Sequence, residues 1–145
     1  MDVTPGAQLM PVLGQLIRII RQTDPSDGVS LVALAVLRRL ESEGPGRISE
    51  LARVERASQP GMTQLVGRLE RADLVRRIPD PHDGRGVLVE LTDGGREQLA
   101  RTAAGYAATL DALLSRLDAD DRAAVAAAIP ALRRLAAVPA GAGGG

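Results

Sequence analysis

Around residues 75–92 the chain contains RRIPDPHDGRGVLVELT, from Arg76 to Thr92, in a sequence patterned elsewhere for helices. Val75 to Ile78 and Val87 to Leu91 are β-branched or aliphatic runs, and the Pro, Gly and acid cluster PDPHDGRG separates them, so the spacing predicts one antiparallel hairpin. An isolated hairpin is marginal in water and must lie on a larger surface. Val75, Val89 and Leu91 are the side chains expected to make that contact. The fold class that follows is mainly α with one small β-hairpin wing on a helical body.

The helices follow from apolar spacing and caps. Thr4 and Pro5 read as a cap and a first-turn proline, with Leu9, Leu13, Leu16 and Ile20 recurring up to about Arg21. Pro11 is expected to disturb this helix unless it lies in the first turns. TDPSDG, residues 23–28, breaks the pattern. A second helix starts after Ser30, turns Leu34, Leu37 and Leu40 inward, and stops at Gly44 in a left-handed conformation. Ser49 is expected to cap a short helix with Leu51 and Ala52 toward the core. Ser58 then caps another, whose Met62, Leu65, Val66 and Leu69 form an apolar stripe opposite Gln59, Pro60, Thr63, Gln64, Gly67 and Arg68. Two helices so close together have helix-turn-helix spacing. After the hairpin, Thr92 caps a long helix in which Leu99, Ala103, Tyr106, Leu110, Leu113 and Leu117 step by four and three. Asp118 or Asp120 caps a last helix through Val125, Ile129, Leu132 and Leu135, kinked at Pro130. The tail PAGAGGG, residues 139–145, is expected to be disordered.

Composition removes several function classes. At 145 residues, 45% of them hydrophobic, the chain suits one domain. It has no Cys, which excludes disulfides, a thiolate zinc site and thiol oxidation as a signal. His82 is the only histidine and reads as an exposed loop residue; no metal set and no catalytic constellation is visible. Asp120 and Asp121 are explained as first-turn charges complementing a helix dipole. Neither enzyme activity nor a cofactor is expected. The lone aromatic, Tyr106, argues against stacking of unpaired bases and leaves duplex DNA open. Formal net charge is zero, so bulk electrostatics gives no support to a nucleic-acid partner. No apolar run approaches the roughly 18 residues of a membrane span, and the N-terminus lacks the basic start of a signal peptide, so a cytoplasmic protein without membrane contact is expected.

With these elements placed, LARVERASQPGMTQLVGRLERADLVRR, DPHDGR and VLVELTDGG, together spanning roughly Ile48 to Gly95, make the chain similar to the MarR family of dimeric winged helix-turn-helix transcription regulators. The resemblance implies one MarR-like domain over residues 1–138. Within it, 29–92 would form the winged helix-turn-helix, with dimerisation helices at 1–22 and 93–138. It implies a homodimer on a near-palindromic operator in double-stranded DNA. It places Ser58, Gln59, Pro60, Thr63, Gln64 and Arg68 on the exposed side of the recognition helix and sends the wing-tip Arg85 into the minor groove. Asp83 would steady that arginine. A small-molecule effector in the crevice between winged domain and dimer helices is implied by the family alone; no ligand residue is named, and without Trp or Phe an aromatic-lined pocket is not expected. The sequence departs from the family pattern at Arg56 and Asp73, where Gly is usual, and at Gly61 near the start of the recognition helix.

The chemistry of these residues fits the implied role. Gln and Arg form paired hydrogen bonds to base edges, which makes Gln59, Gln64 and Arg68 the candidates for reading or anchoring. Gly84 and Gly86 keep the tip slim enough for a narrow groove. Of Arg76 and Arg77, one is expected to contact phosphate, with Arg77 as the choice. Leu9, Leu13, Leu16, Leu110, Leu113, Leu117, Leu132 and Leu135 are the expected dimer contacts, because a small winged domain cannot cover so many apolar positions. The function that follows is a sequence-specific regulator, a homodimeric repressor tuned by an effector. The alternative is a winged-helix protein-interaction module without specific DNA binding, in keeping with zero net charge and with Arg56.

Overall fold

The structure, a computed structural model, describes residues 3–22 and 29–139; the expected break at 23–28 and the tail beyond Pro139 lie outside the described residues. The elements are α1 (Pro5–Gln22), α2 (Leu31–Glu43), α3 (Ile48–Val54), α4 (Gln59–Arg71), β1 (Val75–Pro79), β2 (Val87–Leu91), α5 (Asp93–Leu114) and α6 (Ala119–Ala137). They form two compact units, residues 1–107 and 108–145.

Local chemistry explains most boundaries. The Thr4 hydroxyl accepts from the Ala7 N–H at 3.3 Å, the Ser30 hydroxyl from Ala33 at 3.2 Å, and Asp118 from Asp121 at 2.8 Å, each satisfying an N–H that a helix start leaves orphaned. Thr92 caps α5 by accepting from Gly95 at 2.9 Å, and its hydroxyl donates to the Asp73 carbonyl at 2.6 Å. α1 runs unbroken through Pro11 and α6 through Pro130. Each proline withholds one N–H, from the carbonyls of Ala7 and Ala126 respectively.

Three expectations need correction. Ser49 does not cap α3. The helix already starts at Ile48 behind Arg47, because Gly46 exchanges hydrogen bonds with Val89 (3.0 and 2.8 Å) and this pairing fixes where the chain turns into the helix. Gly44 does end α2 with positive φ, but at φ 82° and ψ −167° it occupies a glycine-only region rather than the left-handed helical one. Leu117 lies beyond α5, which closes at Leu114: Arg116 and Leu117 bond back to Leu113 and Leu114 in a tightened last turn.

The core of residues 1–107 gathers α2, α3, α4, the wing and the first half of α5. Val36, Leu37, Leu51, Met62, Val66, Val75 and Val89 are fully buried, with Leu34, Leu40, Leu65, Leu69, Leu91 and Leu99 around them. Burying each such side chain contributes about 1.5–3 kcal/mol. The hairpin therefore sits on the body through Val75, Val89 and Leu91 as its sequence predicts. Two long-range contacts place α5. The Tyr106 hydroxyl donates to the Val29 carbonyl at 3.3 Å. At Gly95 a Cβ would stand 2.0 Å from the Leu74 carbonyl oxygen, so only glycine lets the first turn of α5 rest on the chain that follows α4.

Candidate nucleic-acid interface

α4 owes its position to its apolar stripe. Met62, Leu65, Val66 and Leu69 are buried, which turns Ser58, Gln59, Pro60, Thr63, Gln64 and Arg68 to the outside. The Ser58 hydroxyl caps the helix by accepting from the Gly61 N–H at 3.1 Å. A Cβ on Gly61 would come within 2.9 Å of that hydroxyl, so the glycine leaves the cap its space. Pro60 falls in the first turn, where no N–H is required. Thr63 donates its hydroxyl to the Gln59 carbonyl at 2.9 Å and so offers a ligand only acceptor capacity. The two departures flanking this helix both have positive φ: Arg56 at 51° in the turn before it and Asp73 at 59° after it. Both side chains are held in the left-handed region that glycine adopts most easily, at a cost of about 1–2 kcal/mol each.

The wing pairs Val75 with Leu91 and Pro79 with Val87. Arg76 forms an ion pair with Glu90 directly opposite. Arg77 is engaged too: its Nε lies 3.3 Å from Glu70 of α4, so the expected phosphate contact starts from an internal ion pair.

At the tip the buried Asp80 is the organising group. Its Oδ1 accepts the His82 N–H at 2.9 Å, its Oδ2 accepts from Arg47 Nη2 at 2.6 Å, and its own N–H donates to the Gly86 carbonyl at 2.9 Å. The His82 N–H first and the Arg47 guanidinium second hold the Asp80 carboxyl below its ordinary value, against the opposing effect of desolvation. The hydrogen bond to Asp80 likewise raises Arg47. Asp83 steadies the tip differently from the expected way. Its Oδ1 accepts the backbone N–H of Arg85 at 3.2 Å, and its Oδ2 lies 3.6 Å from Arg47, because the carboxylate reaches across its own turn toward the body. The exposed Arg85 guanidinium makes no hydrogen bond or ion pair among the described residues. Arg47 and Asp80 escaped the sequence reading. The available signal was an arginine at a helix start, where Ser, Thr, Asp or Asn is favoured.

The leucines expected at a dimer contact are poorly covered. Leu13, Leu16, Leu110, Leu117, Leu132 and Leu135 are exposed, with Leu135 at 58%, and Leu9 and Leu113 are half-buried. The α5 seam divides: Leu99 and Tyr106 belong to the core of residues 1–107, and the later leucines do not. An open groove of about 560 Å³ lies along α2 and α5, with Arg38, Arg39, Ser42, Leu99 and Ala103 among its lining. Among the described residues no group of three potential metal ligands occurs, and no helix is long and apolar enough to cross a membrane.

The MarR family model matches residues 29–87. Over 96 residues the chain is 36% identical to an HTH-type transcriptional regulator of Mycobacterium bovis, a span covering 66% of this chain and 67% of that one. The chain belongs to the MarR family. Among solved structures, wild-type MarR from E. coli in its apo form aligns with TM-score 0.76 at 22% identity, covering 91% of this chain and 98% of that one, and so shares the fold. The PcaV transcriptional regulator of Streptomyces coelicolor, solved with its natural ligand, aligns with TM-score 0.65 at 27% identity over 94% of this chain and 97% of that one. This MarR-family chain thus has the winged-helix architecture of transcription regulators, and its helix-turn-helix and most of its wing fall inside the matched residues.

Proposed function

We propose that the protein is a sequence-specific, double-stranded-DNA-binding transcription regulator that acts in the cytoplasm as a homodimeric repressor. The observation that carries this reading is the combination of an outward polar face on α4 with the unengaged Arg85 guanidinium at the wing tip. Gln59, Gln64 and Arg68 read or anchor base edges in the major groove, Ser58 and Pro60 lie at the helix start against the backbone, and Thr63 offers its methyl group and an acceptor oxygen to a base edge. Arg85 enters the adjacent minor groove, where negative potential is focused. Arg77 reaches phosphate by exchanging its Glu70 partner. Residues 29–92 supply this DNA-contacting part, and 1–22 and 93–138 supply the dimer.

Dimerisation is supported by the exposed leucines on α1, at the end of α5 and on α6. Two-fold symmetry then calls for a near-palindromic operator with half-sites about one DNA turn apart. Repression requires only that the dimer occupy DNA the polymerase needs. A small-molecule effector, bound in the groove along α2 and α5, acts by preferring one spacing of the two recognition helices; PcaV, solved with a natural ligand, supports this step by likeness.

The competing reading, a winged-helix module that binds protein instead of DNA, draws on the zero formal charge and on the ion pairs that occupy Arg76 and Arg77. Fluorescence anisotropy with DNA from upstream of the protein's own gene and with duplexes selected from a random pool, at several salt concentrations, separates the two. Salt-sensitive preference for one sequence is expected. Equal, feeble binding to every duplex, with none enriched, would overturn the regulator.

A further inference from the structure

The first helix of the helix-turn-helix begins with an anomaly. Its N-cap is Arg47, in an extended conformation and with no side-chain capping bond. A cation at this end meets the unsatisfied N–H groups and the positive end of the helix dipole, where an acceptor side chain stabilises. The guanidinium has instead turned to the wing. Its Nη2 donates to the buried Asp80 at 2.6 Å and stands 3.6 Å from Asp83, the residue that holds the Arg85 N–H. The backbone repeats the connection one residue earlier, through the two hydrogen bonds between Gly46 and Val89. Gly86 leaves the space: a Cβ there would meet Asp80 Cβ at 3.1 Å and Arg47 Nη2 at 3.4 Å. One arginine at the head of α3 therefore contacts both acids that shape the wing tip.

We propose that Arg47 is a positioning residue for Arg85, fastening the wing tip to the helix-turn-helix so that the tip and α4 meet DNA at a fixed separation. The inference rests on reading α4 and the wing as the DNA contacts. A two-stranded hairpin with a long polar tip is free to sway, and every conformation lost on docking weakens binding. The Arg47 clasp orders the tip in the free protein instead.

The clasp and simple charge counting differ in sign. An acid near the DNA repels phosphate, so charge alone predicts that Asp80→Asn tightens binding; the clasp predicts that it weakens binding. Arg47 must also act through Arg85, which makes the two arginines non-additive.

The test combines anisotropy on a selected duplex at fixed salt with amide hydrogen exchange on the free protein. Arg47→Ala and Asp80→Asn are each expected to weaken binding about tenfold. Both should speed exchange at His82, Arg85 and Gly86 while leaving α4 unchanged, and Arg47→Lys should recover part of that protection. In an Arg85→Ala background, Arg47→Ala should change affinity by less than about twofold. Tighter binding by Asp80→Asn, additive losses from Arg47 and Arg85, or unaltered exchange at the tip would overturn the proposal. If the wild-type protein prefers no sequence at all, the regulator reading fails on its own, and the exchange measurement still decides whether Arg47 orders the tip.

Discussion

The winged helix-turn-helix and the terminal helices are both amphipathic, yet they differ in how they are satisfied. α2 buries five residues and α4 four, whereas α1 and α6 bury none. Val36, Leu37, Met62, Val66, Val75 and Val89 enclose one another in a core that the chain completes alone. Leu13 and Leu16 on α1, and Val125, Ile129, Leu132 and Leu135 on α6, remain exposed. Apolar faces of that extent normally mark an interface. The winged helix-turn-helix closes its own core; α1 and α6 keep apolar side chains exposed, the faces to which the proposed dimer assigns a second copy.

The contrast is broken most directly in the core. Gly95→Val forces a side chain into the Leu74 carbonyl and should destabilise by several kcal/mol, well beyond an ordinary substitution, with loss of the cooperative thermal transition by circular dichroism. Leu37→Ala is expected to cost about 2–5 kcal/mol in chemical denaturation, at every protein concentration. On α6, Leu132→Asp should leave the fold of residues 29–92 intact and convert dimer to monomer in sedimentation; a variant that stays dimeric at micromolar concentration would place the contact elsewhere. Because a dimer is stabilised by mass action, the wild-type melting temperature should rise with protein concentration, and that of Leu132→Asp should not. Removing the α4 cap, Ser58→Ala, should cost about 1 kcal/mol in the same denaturation experiment.

The smallest effect concerns pH. The folded-state value of Asp80 is depressed, so its contribution is fully present above the ordinary carboxylate value and is lost as pH falls through the folded value. The wild-type advantage over Asp80→Asn in melting temperature should therefore hold at neutral pH and vanish on acidification. An advantage that persisted in strong acid would remove Asp80 as its source.

Local periodicity made the winged helix-turn-helix legible. The Met62, Leu65, Val66, Leu69 stripe oriented α4, and the β-branched and aliphatic runs at Val75 to Ile78 and Val87 to Leu91, with a polar tip between them, located the wing. Expectations failed where a distant partner decides. Ser49 is a sound cap by its neighbours, but the pairing of Gly46 with Val89 starts α3 before it. Asp83 has the right chemistry to hold a guanidinium, and the one it faces is Arg47, which lies in a different element and is invisible to spacing. Leu117 continued the α5 rhythm, which cannot report that the helix tightens and closes at Leu114. The Gly95 contact likewise depends on the path of the chain after α4, which no local pattern encodes.

Hydroxyl-radical footprinting on a selected duplex tests both halves of this account together. Two protected segments related by symmetry and centred about one helical turn, roughly 10 base pairs, apart are predicted, each with flanking minor-groove protection lost in Arg85→Ala. A single protected segment at saturating protein, or none, would contradict the claim that two copies of this winged domain read one site.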